Sequence, residues 1–351
     1  MFDATSTSSV TSNGPMPGHG ESRHGEPIPT ECDSRGGCGS SCDAAPSPAL
    51  TSRAESPSPP PTVGEPCPTP LVWSEVLAAY HSESTPWELA NGSRRLVGRT
   101  WGEGPPLYLL NGFAATAEMS SLMLWLLRDQ FRCVVFDSFD DGPARKPRPA
   151  MNHFAADLLA VADHHGDNAI RVFGASFGAA VALQAALAAP ARVSGLVLQH
   201  GFAARPLSLS ERILAAWCRR SRRPLSAFPG RRRVQELNHR RWFPPFDGTR
   251  FEFLVESSGS IPQAELANKA LATARFNIMS RLGEIACPVM LVRTEGEGPI
   301  EARCHSVLEQ GLKNARTEWM HSSGMHPSLT HPHRLVKLLK TFFASDPPLP
   351  A

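Results

Sequence analysis

The stretch Val172-Phe173-Gly174-Ala175-Ser176-Phe177-Gly178-Ala179-Ala180 constrains this chain more than any other. A short apolar run, Ile170 to Phe173, enters a Gly-x-Ser-x-Gly turn, and an alanine-rich helical stretch leaves it. So sharp a strand-to-helix turn forces its apex residue into a strained conformation. Side chains at the two flanking glycines would strike the neighbouring strand and helix. The apex serine is left at the carboxyl end of a strand, over a helix N-terminus that favours developing negative charge. Ser176 is therefore the candidate nucleophile, against the plainer reading of an ordinary turn with an incidental serine.

The rest of the chain places that turn in a sheet. Trp87-Glu88-Leu89 and Arg94 to Thr100, separated by Asn91-Gly92, read as a hairpin at a sheet edge, after a short amphipathic helix from Leu71 to Tyr80. Leu107 to Leu110 then reads as a buried strand, Met119 to Arg128 as a helix, Arg132 to Phe136 as a strand ending at Asp137, and Phe154 to His164 as a helix. After the serine turn come a helix to Ala188, stopped by Pro190, and a strand from Val193 to Leu198. The pattern resumes with Val289 to Val292, a helix around Glu301 to Leu312, a strand from Thr317 to Met320, and a helix from His333 to Phe343. Continuous apolar strands alternating with helices predict an α/β fold, a mostly parallel sheet of the eight-stranded type with helices on both faces.

Two regions fall outside this rhythm. Residues 1–70 are rich in Ser, Thr, Pro and Gly and hold four of the eight cysteines, Cys32, Cys38, Cys42 and Cys67. Such a composition buries too little apolar surface to offset its ordering entropy, so a disordered tail is expected, dispensable for folding and activity. The cysteine spacing is irregular and lacks a second ligand pair, so reduced thiols are expected rather than a metal site. The other region, at about 203–276, carries Arg219, Arg220, Arg222, Arg223, Arg231, Arg232, Arg233, Arg240 and Arg241 with few acids. It reads as a lid inserted after the sixth strand of a domain spanning 71–345. Its arginines are read first as solvated helix faces and second as an attraction for anionic substrates or an acidic surface.

Net charge of +2 over 351 residues does not suggest nucleic-acid binding. The apolar runs are too short for an integral membrane segment, and the polar N-terminus lacks the core of a secretory signal. A cytoplasmic protein without cofactor or metal is expected.

Over roughly residues 85 to 345 the chain resembles the α/β-hydrolases that carry a small helical cap. The resemblance rests on Asn111-Gly112-Phe113, Asp137, Gly174 to Gly178, Leu282-Gly283-Glu284-Ile285-Ala286-Cys287-Pro288-Val289, and Gly324-Met325-His326-Pro327 with His331-Pro332 behind it. It implies a nucleophile, an acid and a histidine in that order along the chain. Ser176 is the nucleophile, Glu297 the acid, with Glu295 its runner-up, and His326 the base. An ungapped match through His331-Pro332 would put Met325 at the histidine position, and a one-residue slip brings in His326. His321 is the alternative base; His331 and His333, around Pro332, read as helix-capping or solvated. The backbone N–H groups of Phe113 and Phe177 are the implied oxyanion hole.

The implied activity is a serine hydrolase cleaving a carboxylic ester, thioester or lactone of a small acyl substrate through an acyl-enzyme. An acyltransferase or carbon–carbon hydrolase on the same triad is a second reading. A catalytically degenerate binding protein of the same fold is a third.

Overall fold

The structure, a computed structural model, describes residues 72–140, 149–245 and 248–344. The reading of residues 1–70 as a tail, and its four cysteines, lie outside the described residues.

The chain opens with α1 (Trp73–Glu83), the hairpin β1 (Thr85–Asn91) and β2 (Arg94–Trp101), and then β3 (Pro106–Leu110). A 3-10 turn over Ala117–Ser120 leads into α2 (Ser121–Leu127), β4 (Arg132–Asp140) and α3 (Met151–His164). The serine turn joins β5 (Ile170–Ala175) to α4 (Phe177–Ala188), and β6 (Val193–Gln199) follows. Four helices come next: α5 (Leu209–Cys218), α6 (Arg231–His239), α7 (Thr249–Ser260) and α8 (Gln263–Thr273). The sheet resumes with β7 (Val289–Thr294), α9 (Pro299–Gly311), β8 (Ala315–Met320), the short α10 (Pro327–Thr330) and α11 (Pro332–Ala344).

The eight strands form one sheet in the order β1-β2-β4-β3-β5-β6-β7-β8. Only the β1–β2 and β2–β4 pairs are antiparallel; the five remaining pairs run parallel. The inner strands are apolar almost throughout because both faces are covered. Successive residues alternate between two cores. Tyr108 and Leu110 of β3, Ile170 and Val172 of β5, Leu196 and Leu198 of β6, and Val289 and Leu291 of β7 pack with α3, α4 and Leu308 of α9. Leu107, Leu109, Phe173, Val197, Met290 and Val292 face the other way, onto Met123, Leu124 and Leu127 of α2 and the apolar face of α11. That face is Leu335, Val336, Leu339, Phe342 and Phe343, at helical spacing. The edge strand β1 largely alternates exposed and half-buried positions, and the edge strand β8 is exposed or half-buried up to its buried last residue, Met320.

The inserted helices are tied down at separate places. Phe251, Leu254 and Val255 of α7 pack with Trp73, Val76, Met119 and Leu122. Ala215 and Cys218 of α5 pack on Ala267, Ala270 and Leu271 of α8. A reciprocal cap between Ser208 and Glu211 starts α5. The predicted helix after residue 119 begins as a 3-10 turn, and β4, β6 and β7 run four, one and two residues beyond their predicted ends, into mostly polar residues.

Candidate active site

The candidate site lies at the carboxyl ends of the parallel strands, with residues of the inserted helices, His239 and Leu254 among them, lining its other side. At the end of β5, Ser176 has φ 49° and ψ −106°. A side chain in that region costs of order 1–3 kcal/mol and persists only where its surroundings enforce it. Two close approaches do so. A Cβ at Gly178 would stand 2.2 Å from the Leu110 carbonyl oxygen, and one at Gly174 would stand 2.7 Å from Ala179. The Ser176 N–H donates to the Gln199 carbonyl (2.8 Å), which fixes the turn to the end of β6.

The loop after β3 is held by its own polar groups. Asn111 donates Nδ2–H to the Thr116 carbonyl (2.8 Å) and accepts from Ser120 Oγ (2.8 Å). The Ala117 N–H is shared by both Asp137 carboxylate oxygens, at 3.1 and 3.0 Å. Two contacts come from the inserted helices: Lys269 Nζ of α8 donates to the Phe113 carbonyl (3.3 Å), and Ser257 Oγ of α7 lies 2.5 Å from Thr116 Oγ1. Burial raises the Asp137 pKa, the Ala117 N–H opposing it. Burial lowers that of Lys269, with Asp137 opposing. Among the described residues neither the Phe113 nor the Phe177 N–H is engaged in a hydrogen bond.

Ser176, Phe113, Met325 and His326 line one cavity. Met325 and His326 are both half-buried. The His326 ring meets the His239 ring edge-on, with centroids 4.8 Å apart. Burial pushes the His326 pKa well below the usual histidine value, and the neighbouring His239 and His200 lower it further. His326 is thus a neutral imidazole across ordinary pH, the state a proton acceptor needs.

The acids stand elsewhere. Glu297 is almost wholly buried, and its carboxylate accepts from Arg293 Nε (2.7 Å) and Nη2. The hydrogen bond expected between Glu297 and His326 is not among those made by the described residues. Glu295 pairs with the exposed His321 (3.2 Å), so the runner-up acid and the alternative base meet each other at the surface. His331 Nδ1 meets its neighbour Thr330 Oγ1 (3.0 Å).

A hub at the ends of β6 and β7 escaped the sequence reading. Gln199 Nε2 donates to the Met325 carbonyl (3.0 Å) and faces His200 Nδ1 (3.1 Å). A carbonyl can only accept, so the atom facing it is the amide nitrogen, and His200 Nδ1 must accept too. The His200 proton then sits on Nε2 and goes to Thr294 Oγ1 (2.8 Å). Burial holds the His200 pKa down at about 4, which agrees with this neutral ring. Gln199 alone therefore fixes both the serine turn, through its carbonyl, and the residue before His326, through its amide. The available signal was the switch from Val193–Leu198 to the polar Gln199-His200 at a strand end, where ligands of parallel sheets gather.

The two loops carrying Glu297 and His326 pack backbone on backbone. The Gly296 N–H donates to the Ser323 carbonyl (3.0 Å). A Cβ on Gly296 would stand 2.5 Å from Gly324 Cα, and one on Gly324 would stand 2.4 Å from the Trp242 ring of the inserted region. Among the described residues, no group of three or more His, Cys, Asp and Glu could hold a metal ion.

The family model of the alpha/beta hydrolase fold matches residues 105–235. A RutD protein of Cronobacter turicensis, named as a carbamate hydrolase, is 24% identical over 260 residues, covering 70% of this chain and 93% of its own length. The RutD of Variovorax paradoxus is 24% identical over 282 residues, covering 71% and 96%. Among solved structures, a thermophilic esterase from Thermogutta terrifontis superposes with a TM-score of 0.63 at 21% identity, over 74% of this chain and 98% of that one. The enol-lactonase of Burkholderia xenovorans superposes with a TM-score of 0.61 at 15% identity, over 74% of this chain and 100% of that one. With this sheet order, this serine turn and this family match, the chain has the α/β-hydrolase fold.

Proposed function

We propose that this protein is a serine hydrolase that cleaves a carboxylic ester, thioester or lactone of a small acyl substrate. The observation that carries the reading is a strained serine at the head of a helix, lining one cavity with a neutral histidine and the Phe113 loop. In this reading Ser176 Oγ attacks the acyl carbon while His326 takes its proton. The Phe113 and Phe177 N–H groups receive the oxygen that becomes charged. The proton then passes to the departing alcohol, thiol or ring oxygen, and a water activated by His326 releases the acid. Relatives named as carbamate hydrolases and fold neighbours named as esterase and lactonase support an acyl C–O or C–N bond as the target.

Glu297 is the proposed acid, by its place in the loop after β7. Both Arg293 contacts use its Oε1, which leaves Oε2 to accept from His326 after a loop adjustment. That ion pair is also the observation favouring a second reading, a ligand-binding member of the fold that performs no chemistry. A fluorophosphonate probe separates the two. Covalent labelling of the wild type, lost in Ser176→Ala, supports the hydrolase. A folded wild type that takes no label points to the binding protein.

A further inference from the structure

The first inserted helix carries a surface that the proposed chemistry does not use. While Ala215 and Cys218 of α5 face α8, Leu209, Ile213 and Trp217 are 73%, 62% and 70% exposed. Their spacing of four residues stacks them in one row, since four residues slightly exceed a helical turn. Single exposed apolar residues are ordinary, but a row of three large ones on one helix marks a contact surface.

The charge around the row says what it fits. Residues 205–233 contain nine arginines and one acid, Glu211, and the Glu211 carboxylate is engaged by the Ser208 N–H (2.8 Å). Arg212 on α5 and Arg220, Arg222 and Arg223 just beyond it are exposed. The ion pairs of this region lie further on, at Arg232 with Glu236 and Glu252; none joins those four arginines among the described residues. Tryptophan settles at the headgroup level of a bilayer, with leucine and isoleucine at the acyl boundary, and guanidinium groups pair with acidic headgroups. A single convex helix face offers a folded partner no pocket to fill, whereas a fluid acidic surface conforms to it. No described helix is long and apolar enough to cross a membrane, so contact of this kind is peripheral.

We propose that α5 and the arginine turn behind it dock this protein onto an anionic phospholipid surface, with the Leu209–Ile213–Trp217 row entering the interface. The test is co-sedimentation of the full chain with phosphatidylserine-containing vesicles and with pure phosphatidylcholine vesicles. Binding to the acidic vesicles alone, reversed by salt, is the expected result. Joint replacement of Leu209, Ile213 and Trp217 by serine should abolish it. Arg220→Gln, Arg222→Gln and Arg223→Gln together should weaken it roughly a hundredfold, at about fivefold per basic group. A blue shift of fluorescence on binding, missing in Trp217→Phe, places the ring in the interface. Circular dichroism melts confirm that each variant is folded. A wild type that stays in solution beside acidic vesicles at low salt overturns the proposal, as do variants that bind like the wild type. Sedimentation velocity adds a third contrary outcome: a wild-type dimer that the serine variant splits assigns the row to a second copy.

Discussion

At the scale of single residues, Ser176 bears strain that the proposed chemistry uses and that stability does not need. Its φ of 49° suits glycine, and the close contacts at Gly174 and Gly178 leave the backbone no other course. Ser176→Ala keeps the Cβ and the strain, whereas Ser176→Gly removes both. Both variants should lose hydrolysis of a short p-nitrophenyl ester. Ser176→Gly should unfold at the higher denaturant midpoint, by about 1 kcal/mol, strain relief outweighing the added freedom of the unfolded glycine. Equal midpoints would mean that the turn is relaxed. Around the proposed base, His326→Ala should abolish turnover, and the surface-exposed His321→Ala should leave it near wild type. Full activity in His326→Ala would remove that residue from the mechanism. Glu297→Gln should reduce kcat more than Glu295→Gln. Because Glu297 begins in an ion pair with Arg293, the loss should fall short of the roughly 10^4-fold that misorienting a triad histidine costs.

At the scale of elements, the loop after β3 is positioned from outside the sheet. Lys269 reaches from α8 to the Phe113 carbonyl, and that peptide chain also carries the N–H assigned to the developing oxyanion. Lys269→Met should lower kcat roughly ten- to hundredfold with little change in KM, as expected when a donor group shifts by a fraction of an ångström. Lys269→Arg should recover part of the loss, and Lys269→Met should also lower the melting midpoint because buried Asp137 loses a neighbouring cation. A change confined to KM would instead assign Lys269 to substrate binding. The elements themselves were legible in the sequence. Val172-Phe173, Leu196 to Leu198 and Val289 to Val292 are apolar because both sheet faces are covered, and the glycines flanking Ser176 announced the turn. The polar clamps were not legible. Lys269 meets Phe113 across 156 positions and Gln199 meets Met325 across 126, and nothing in local periodicity links residues so far apart. Arg293 and Glu297 are four apart, but they straddle a strand end, where helical spacing gave no reason to pair them.

At the scale of the whole molecule, acid should loosen the fold through its histidines. Burial lowers the pKa of His165, His200, His305, His326, His331 and His333. For each, the unfolded chain binds its proton first as pH falls below about 6.5, so stability declines from there downward. His200, held at about 4, accounts for about 3 kcal/mol over that window. The raised carboxyls of Asp137 and Asp157 act in the opposite sense and offset part of this. Denaturant midpoints between pH 7 and 4.5 should therefore fall for the wild type and fall less steeply for His200→Asn, asparagine being tolerant of the His200 φ of 49°. Parallel curves would show that His200 titrates normally. One contact described above reaches further. Trp242 lies where a methyl group on Gly324 would have to go, so the inserted region touches the backbone of the loop that presents His326. The insertion is then not an interchangeable module set over a finished catalytic platform. A chimera that borrows a relative's insertion to alter substrate choice would also shift the proposed base, and its two halves would have to be evolved together.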